Sequence, residues 1–398
     1  MPFDVFSAEI VAAACNLPIP EAEALADGLV EVNLLEDLGT NRFRFHELVR
    51  LHAAQLASAQ NPPGTGLEGA RRAVGWYLAT ATAAETLLTP SHRDLPRTYP
   101  RGIPAPLAFD GPHAALDWLS REQNQLAAAI RIAADNDWDA TVWQLADALW
   151  PLWHRLRPYD LWIEAHHKGL AAARRDGHPA AVSRMLTSGG GAMLNSGQPE
   201  KALAWYTEAL DNARADQDRK AEAQSLHGLG RAHHMTGRLS EALSFFTRAL
   251  TLRETIGYTR GAALTRVCLG EIAMTQNRVD DAIAQLTTAH RELITIADRH
   301  DAARALALLG RARAACGDFT VAESHLETAL KAFRSIGSIH WQGRAMEMLG
   351  LTALDHGDRA VALRWFEQSL AVYVSNSPRD TRRLLDRISS LGEPPAAT

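Results

Sequence analysis

The sequence is poor in cysteine and in long apolar runs, and each shortage excludes a class of protein. Its 398 residues contain three cysteines, Cys15, Cys268 and Cys316, which lie too far apart to indicate a disulfide framework or a zinc knuckle. No apolar run approaches the roughly 18 residues that a membrane span needs. The first residues, MPFDVFSAEI, also lack the basic and then apolar pattern of a signal peptide. We therefore expect a soluble, cytoplasmic protein without a membrane partner.

Lysine is also scarce, and this bears on catalysis. Only four of the 41 basic residues are lysines: Lys168, Lys201, Lys220 and Lys331. A phosphate-binding loop needs a glycine-rich turn that ends in Gly-Lys, and none of these lysines follows a glycine. The sequence has no Gly-x-Ser-x-Gly nucleophile elbow either. We predict a protein that is not an enzyme and needs no cofactor.

What the sequence does contain is a glycine every 40 residues. Small residues follow at fixed offsets, and an aromatic residue or leucine lies 16 residues after each glycine. This spacing predicts pairs of antiparallel helices that pack closely and bury their apolar faces only when stacked in series. The glycines are Gly190, Gly230, Gly270, Gly310 and Gly350.

These residues resemble the tetratricopeptide repeat, whose usual length is about 34 residues. The resemblance covers residues 181–375 and predicts an all-α tetratricopeptide-repeat superhelix with units of about 40 residues. Upstream, Trp150 and Trp162 occupy the glycine and alanine positions of a degenerate unit.

The resemblance implies that the first helix of each unit lines a concave groove. Counting from the glycines predicts a set of groove residues that would bind a ligand or partner. They are Arg184, Gln224, His227, Arg231, His234, Glu271, Arg304, Arg311, Arg344 and Glu347.

The charge of this predicted groove allows two interpretations. Its arginines could recognise a carboxylate-rich peptide or a phosphorylated ligand, because guanidinium groups bind such anions in bidentate fashion. Alternatively, Glu271, Glu347 and Asp355 could pair with the arginines within the chain. The histidines of the stretch 225–250 do not converge, since His233 should point towards the neighbouring helix. We predict no metal site.

The first 60 residues show the order helix, helix, hairpin, helix, which is that of a winged-helix module without its first helix. This order and the phrase FRFHELVRLHAAQL resemble the bacterial NB-ARC (STAND) signalling ATPases, including regulators of the AfsR type. The resemblance implies a winged helix, a helical connector and a tetratricopeptide sensor. It also implies that this chain is the C-terminal part of a larger regulator, or a shortened descendant, whose ATPase domain is an absent partner.

The expected organisation has five segments. They are a partial winged-helix domain (1–60), a connector helix with a proline-rich loop (61–112), a helical connector with the degenerate repeat (113–180), the repeats (181–375), and a capping helix with a disordered tail (376–398). The proline-rich loop is the segment expected to be most mobile. Whether it folds over the connector is left open.

The function expected from these features is that of a non-catalytic interaction or effector-sensing scaffold in a bacterial signalling or transcriptional regulator. A peptide, a protein or a small anionic ligand would bind in the groove. The alternative is a transcription regulator that binds DNA through the winged helix. Residues 1–60 carry three arginines against nine acidic residues, which is the wrong sign for contacts with phosphates.

Overall fold

The computed structural model describes residues 3–60, 62, 64–90, 95–374 and 377–392. Within these ranges the fold is helical apart from one small sheet, and its helices form repeating pairs. This confirms the predicted fold class. The chain divides into two compact units, Met1–Asp216 and Gln217–Thr398. None of the described helices is both long enough and apolar enough to cross a membrane.

The N-terminal module contains one strand more than the sequence analysis predicts. Its sheet has the order β1-β3-β2, and both pairings are antiparallel. The unpredicted strand is β1, whose two residues are too few to produce a visible alternation. Phe6 of β1 is buried and packs against Phe43 and Phe45. The elements are β1 (Val5–Phe6), α1 (Ala8–Cys15), α2 (Ile19–Glu31), β2 (Leu35–Asp37), β3 (Phe43–Phe45) and α3 (Glu47–Gln60).

Seven further helices complete the first unit. In the segment predicted to hold a degenerate repeat, a helix breaks in two at Trp150-Pro151, where proline cannot donate a helical hydrogen bond. The helices are α4 (Thr65–Leu88), α5 (Pro112–Asp135), α6 (Asp139–Ala148), α7 (Trp150–Arg155), α8 (Tyr159–Arg175), α9 (Pro179–Asn195) and α10 (Pro199–Ala215).

The second unit consists of helix pairs with the predicted 40-residue period. It contains α11 (Arg219–Met235), α12 (Leu239–Thr255), α13 (Thr259–Thr275), α14 (Val279–Thr295), α15 (Arg299–Ala315), α16 (Phe319–Ser335), α17 (Ile339–Asp355), α18 (Arg359–Tyr373) and α19 (Pro378–Gly392). The last of these is the predicted capping helix. Residues 393–398 of the predicted tail lie outside the described residues.

The glycines hold the two helices of a pair close together. A Cβ atom on Gly230 would lie 2.8 Å from two ring carbons of Phe246, which is fully buried. A Cβ on Gly270 would lie 2.7 Å from Cγ of Leu286. The glycine and the large residue opposite it therefore form one packing unit, and the 16-residue offset in the sequence reflects this contact.

The proline-rich segment folds over the connector helices, the arrangement that the sequence left open. We call residues 95–111 the strap. The backbone N–H of Thr98 donates to Oε1 of Gln144 at 2.9 Å, and the Trp76 indole donates to the Ala105 carbonyl at 3.2 Å. The strap is thus held by specific contacts, whereas residues 91–94 of the segment expected to be mobile lie outside the described residues.

Buried charges also tie the strap to the helices. The Arg97 guanidinium pairs with Glu85 of α4 and, at 3.2 Å, with Asp147 of α6. Asp147 also pairs with Arg184 of α9 at 3.1 Å. The side chains of Arg97, Glu85 and Asp147 are 5%, 2% and 1% exposed. These two arginines and two carboxylates form an ion-pair cluster whose carboxylates are buried.

Candidate functional site

Nine of the ten predicted groove residues lie in the second unit, on the first helices of its pairs. These helices are α11, α13, α15 and α17, and each of them contacts the next one along the stack. We call the face that they form the first-helix wall. Arg184 lies on α9 in the first unit, where Asp147 holds it. The wall of the second unit is therefore described without it.

Carboxylates of the same chain pair with the arginines of the wall. Arg304 reaches Glu271 at 3.4 Å and thereby connects α15 to α13. Arg311 reaches Asp355 of α17 at 2.9 Å and donates to the Thr352 hydroxyl at 2.9 Å. The internal pairing that the sequence offered as an alternative is thus present. The wall alternates positive and negative groups instead of presenting a uniformly basic surface.

Glu347 is enclosed by arginines and does not face solvent. Its side chain is 1% exposed and accepts from Arg344 at 3.0 Å. Arg383 and Arg387 of the capping helix also pair with it, the latter at 3.7 Å. The carboxylate is therefore engaged in holding α19 against α17.

His227 is buried beneath the wall. Its Nδ1 lies 3.3 Å from the Thr265 hydroxyl, and its ring meets Phe246 edge-to-face at 5.3 Å. Burial keeps the pKa of His227 well below its usual value, and the nearby charges of Arg253 and Arg231 lower it further. His227 is therefore neutral in the native protein at neutral pH and supports the wall from below.

The other two histidines of this stretch do not converge with it. His233 stacks on Phe245 of α12, with ring centroids 5.2 Å apart, and His234 is half-buried. In the part of the chain that the structure describes, no three His, Cys, Asp or Glu side chains gather so that they could hold a metal ion.

Sequence reasoning missed Arg253, which lies on the second helix α12 and contacts the wall from behind. Its guanidinium is fully buried and donates to the Gly261 carbonyl at 2.8 Å, to the Thr265 hydroxyl at 2.6 Å and to Oε1 of Gln224 at 2.7 Å. Since these acceptors are neutral, burial dominates and lowers the pKa of Arg253 to about 10.

A signal for Arg253 was present in the repeat. At intervals of 40 residues, its counterparts are Ala213, Leu293, Phe333 and Tyr373, and all four are buried. An arginine at a position that is otherwise apolar marks a buried charge. This charge fixes the Gln224 side chain, one of the predicted groove residues.

The burial of His227 predicts acid sensitivity. Its folded-state pKa is depressed, whereas the unfolded value is about 6.5, so below that pH the unfolded chain binds the extra proton and stability falls. The contribution from this one group approaches about 1.4 kcal/mol per pH unit. In urea titrations between pH 7 and 5, we expect His227→Phe to lose less stability than the wild type. His113→Phe, at an exposed histidine, should behave as the wild type does, and equal slopes for all three proteins would contradict the assignment.

Two of the three arginines in the described part of the N-terminal module lie near carboxylates. Arg44 pairs with Glu36 at 2.7 Å, and Arg42 lies 3.7 Å from Glu122 of α5. The helix α2, which would correspond to the recognition helix, contains no basic residue.

Comparison with known proteins agrees with the helix pairs. The tetratricopeptide repeat family model matches residues 184–255 and 301–373. The chain is 33% identical to the regulatory protein AfsR of Streptomyces griseus over 208 residues, which are 52% of this chain and 21% of that protein. It is 35% identical to AfsR of Streptomyces coelicolor over 143 residues, 35% of this chain and 14% of that protein. The chain thus spans about a fifth or less of the length of these relatives.

Solved structures of similar fold are more distant in sequence. A Rap protein complexed with Competence and Sporulation Factor matches with a TM-score of 0.52 and 13% identity, covering 96% of both chains. Aspartyl phosphate phosphatase F from Bacillus subtilis matches with a TM-score of 0.52 and 11% identity, covering 97% of this chain and 94% of that one. At these identities the likeness concerns the fold alone. The chain therefore contains tetratricopeptide repeats and is related in sequence to AfsR regulators over about half of its length.

Proposed function

We propose that this chain is a non-catalytic sensing and interaction scaffold of a bacterial regulator, and that a peptide or protein segment binds along its first-helix wall. The alternation of charge along that wall carries the proposal. Ion pairs and the buried Arg253 hold its polar side chains in fixed positions, which lowers the entropic cost of binding. The similarity to AfsR supports a regulatory role, and the resemblance to STAND proteins suggests an NB-ARC-type ATPase domain as a partner.

The pairing within the wall specifies how an anionic ligand would bind. A carboxylate or phosphate of the ligand reaches Arg304 or Arg311 by replacing Glu271 or Asp355, and so releases a contact between neighbouring helices. Binding would then favour one arrangement of the stack over another, because the ligand interacts differently with the two. A peptide that offers both amide donors and carboxylates can satisfy the displaced groups as well.

Capture of a partner from native lysate tests the wall as the binding site. We expect Arg231→Glu with Arg311→Glu to reduce the captured partner at least tenfold, an order of magnitude typical of repelled charge contacts. The matched control is Arg291→Glu with Arg334→Glu, which makes the same charge change at exposed positions of the second helices α14 and α16. This control should retain the partner, and melting temperatures verify that both variants fold.

Two results would contradict the proposal. Retention of the partner by the wall variant would place the interface elsewhere on the chain. An equal loss with the control variant would indicate a nonspecific effect of charge. No observation in the described structure favours duplex DNA as the ligand.

A further inference from the structure

A basic cavity opens on the first unit. It lies where α4, the strap and α6 meet and has a volume of about 380 Å³. Its charged lining residues are Arg71, Arg72, Arg101 and a single carboxylate, Glu68. Three residues with hydroxyl groups, Thr98, Tyr99 and Thr141, complete the polar lining. Three arginines and one glutamate leave the cavity with two excess positive charges.

Several other arginines of the first unit pair with carboxylates. Arg131 pairs with Glu164, and Arg175 pairs with Asp139, each at 2.6 Å. Among the residues that the structure describes, no carboxylate pairs with Arg71, Arg72 or Arg101. The charge of the cavity is therefore not neutralised by the described part of the chain.

Two of the guanidinium groups are held in place by neutral partners. Arg72 donates from Nε to the Ala13 carbonyl at 3.0 Å and from Nη2 to the Ala14 carbonyl at 2.6 Å, at the C-terminal end of α1. The Arg71 guanidinium lies over the Trp138 ring, 5.8 Å from its centroid. Both contacts position the groups and leave their charge available for an anion.

The strap fixes the remaining wall of the cavity. Pro100 lies against Gly75 so closely that a Cβ there would be 2.5 Å from Cδ of the proline. Gly102 has a φ of +75°, and a Cβ on it would be 2.8 Å from the Asn16 side chain. Tyr99 and Arg101 therefore extend from a short segment that is fixed on both sides.

We propose that this cavity binds the phosphoryl group of a small phosphorylated molecule. A phosphate monoester carries a charge of −1.5 to −2 at neutral pH and has three strong acceptor oxygens, which match two excess positive charges better than a carboxylate does. Guanidinium groups bind such oxygens in bidentate fashion, and the hydroxyl groups of Tyr99 and Thr141 can donate to them. The volume lies within the range of about 300–1,000 Å³ for small-molecule sites, so it leaves room for more of the molecule than its phosphate.

Isothermal titration of the full chain with inorganic phosphate, AMP and acetate tests this site. We expect the wild type to bind a phosphate-bearing probe and Arg71→Gln with Arg101→Gln to weaken that binding at least about tenfold. Arg72 is left unchanged because it also holds the carbonyls of α1. The matched control is Arg121→Gln with Arg364→Gln, which removes the same charge at two exposed arginines outside the cavity.

The probes also distinguish the source of the phosphate. Tighter binding of AMP than of inorganic phosphate assigns the site to an organic phosphate, whereas equal affinities assign it to free phosphate. The proposal is overturned if neither binds with a dissociation constant below about 10 mM, if acetate binds as tightly, or if the control variant weakens binding equally.

Discussion

Arg97→Ala is expected to destabilise the first unit by about 3–5 kcal/mol. The substitution removes the arginine that pairs with both Glu85 and Asp147, whose side chains are almost inaccessible to solvent. A buried carboxylate that loses a counter-charge is destabilising because its desolvation is offset less completely. The strap loses its charged anchor at the same time.

Urea unfolding followed by tryptophan fluorescence measures this effect. Eight of the ten tryptophans precede residue 217, so the signal reports mainly on the first unit. Arg131→Ala is the control, since its pair with Glu164 is exposed and contributes about 0–1 kcal/mol. The double variant Arg97→Leu with Glu85→Leu removes one charge of each sign and keeps the Asp147–Arg184 pair, so it should recover part of the lost stability. Similar decreases in the free energy of unfolding for Arg97→Ala and Arg131→Ala would contradict the stabilising role of the Arg97 ion pairs.

Gly350→Ala is expected to destabilise the second unit by about 1–3 kcal/mol, although alanine is the better helix former. The new Cβ would lie 2.5 Å from Cε1 of Phe366, whose ring is fully buried and cannot move aside. The helices α17 and α18 would have to separate. This reverses the usual effect of replacing a helical glycine.

Thermal unfolding by circular dichroism measures the change. The control is Gly191→Ala on α9, where the nearest atom, the Tyr206 hydroxyl oxygen, would lie at 3.6 Å, an ordinary contact. That variant should be neutral or slightly more stable. If Gly350→Ala were as stable as Gly191→Ala, close helix approach would not be the reason for the glycine.

The repeat architecture could be predicted from the sequence because each residue that sets it recurs. Gly230, Ala242 and Phe246 stand for contacts repeated in every unit, so one pattern accounts for many helices. The strand β1 could not be predicted in the same way, since two residues show no periodicity. The position of the strap could not be predicted either, because its contacts with Gly75 and Gln144 join positions that share no sequence pattern.

Much less of the candidate site followed from the sequence. The 40-residue period placed Gln224 and Arg304 on first helices, but counting does not determine which charges pair across helices. Pairing depends on how far each side chain reaches. Arg311 pairs with Asp355 of the next first helix, whereas Glu347 pairs with Arg344 and with Arg383 of the capping helix. The buried Arg253 shows that one departure from an apolar pattern can be more informative than the pattern itself.

The turns between the helices follow a finer period than the units. Left-handed residues occur every 20 positions from Gly177 to Gly357, including Gln217, Asn277 and Ala297. Both turns of a unit therefore have similar length and conformation, and the helices from α9 to α16 all have 17 residues. Removal of residues 258–297, or their duplication, would rejoin the chain at equivalent turns. Each remaining repeat glycine would still face the large residue 16 positions after it. The length of the first-helix wall can thus change by whole units during evolution without a new fold.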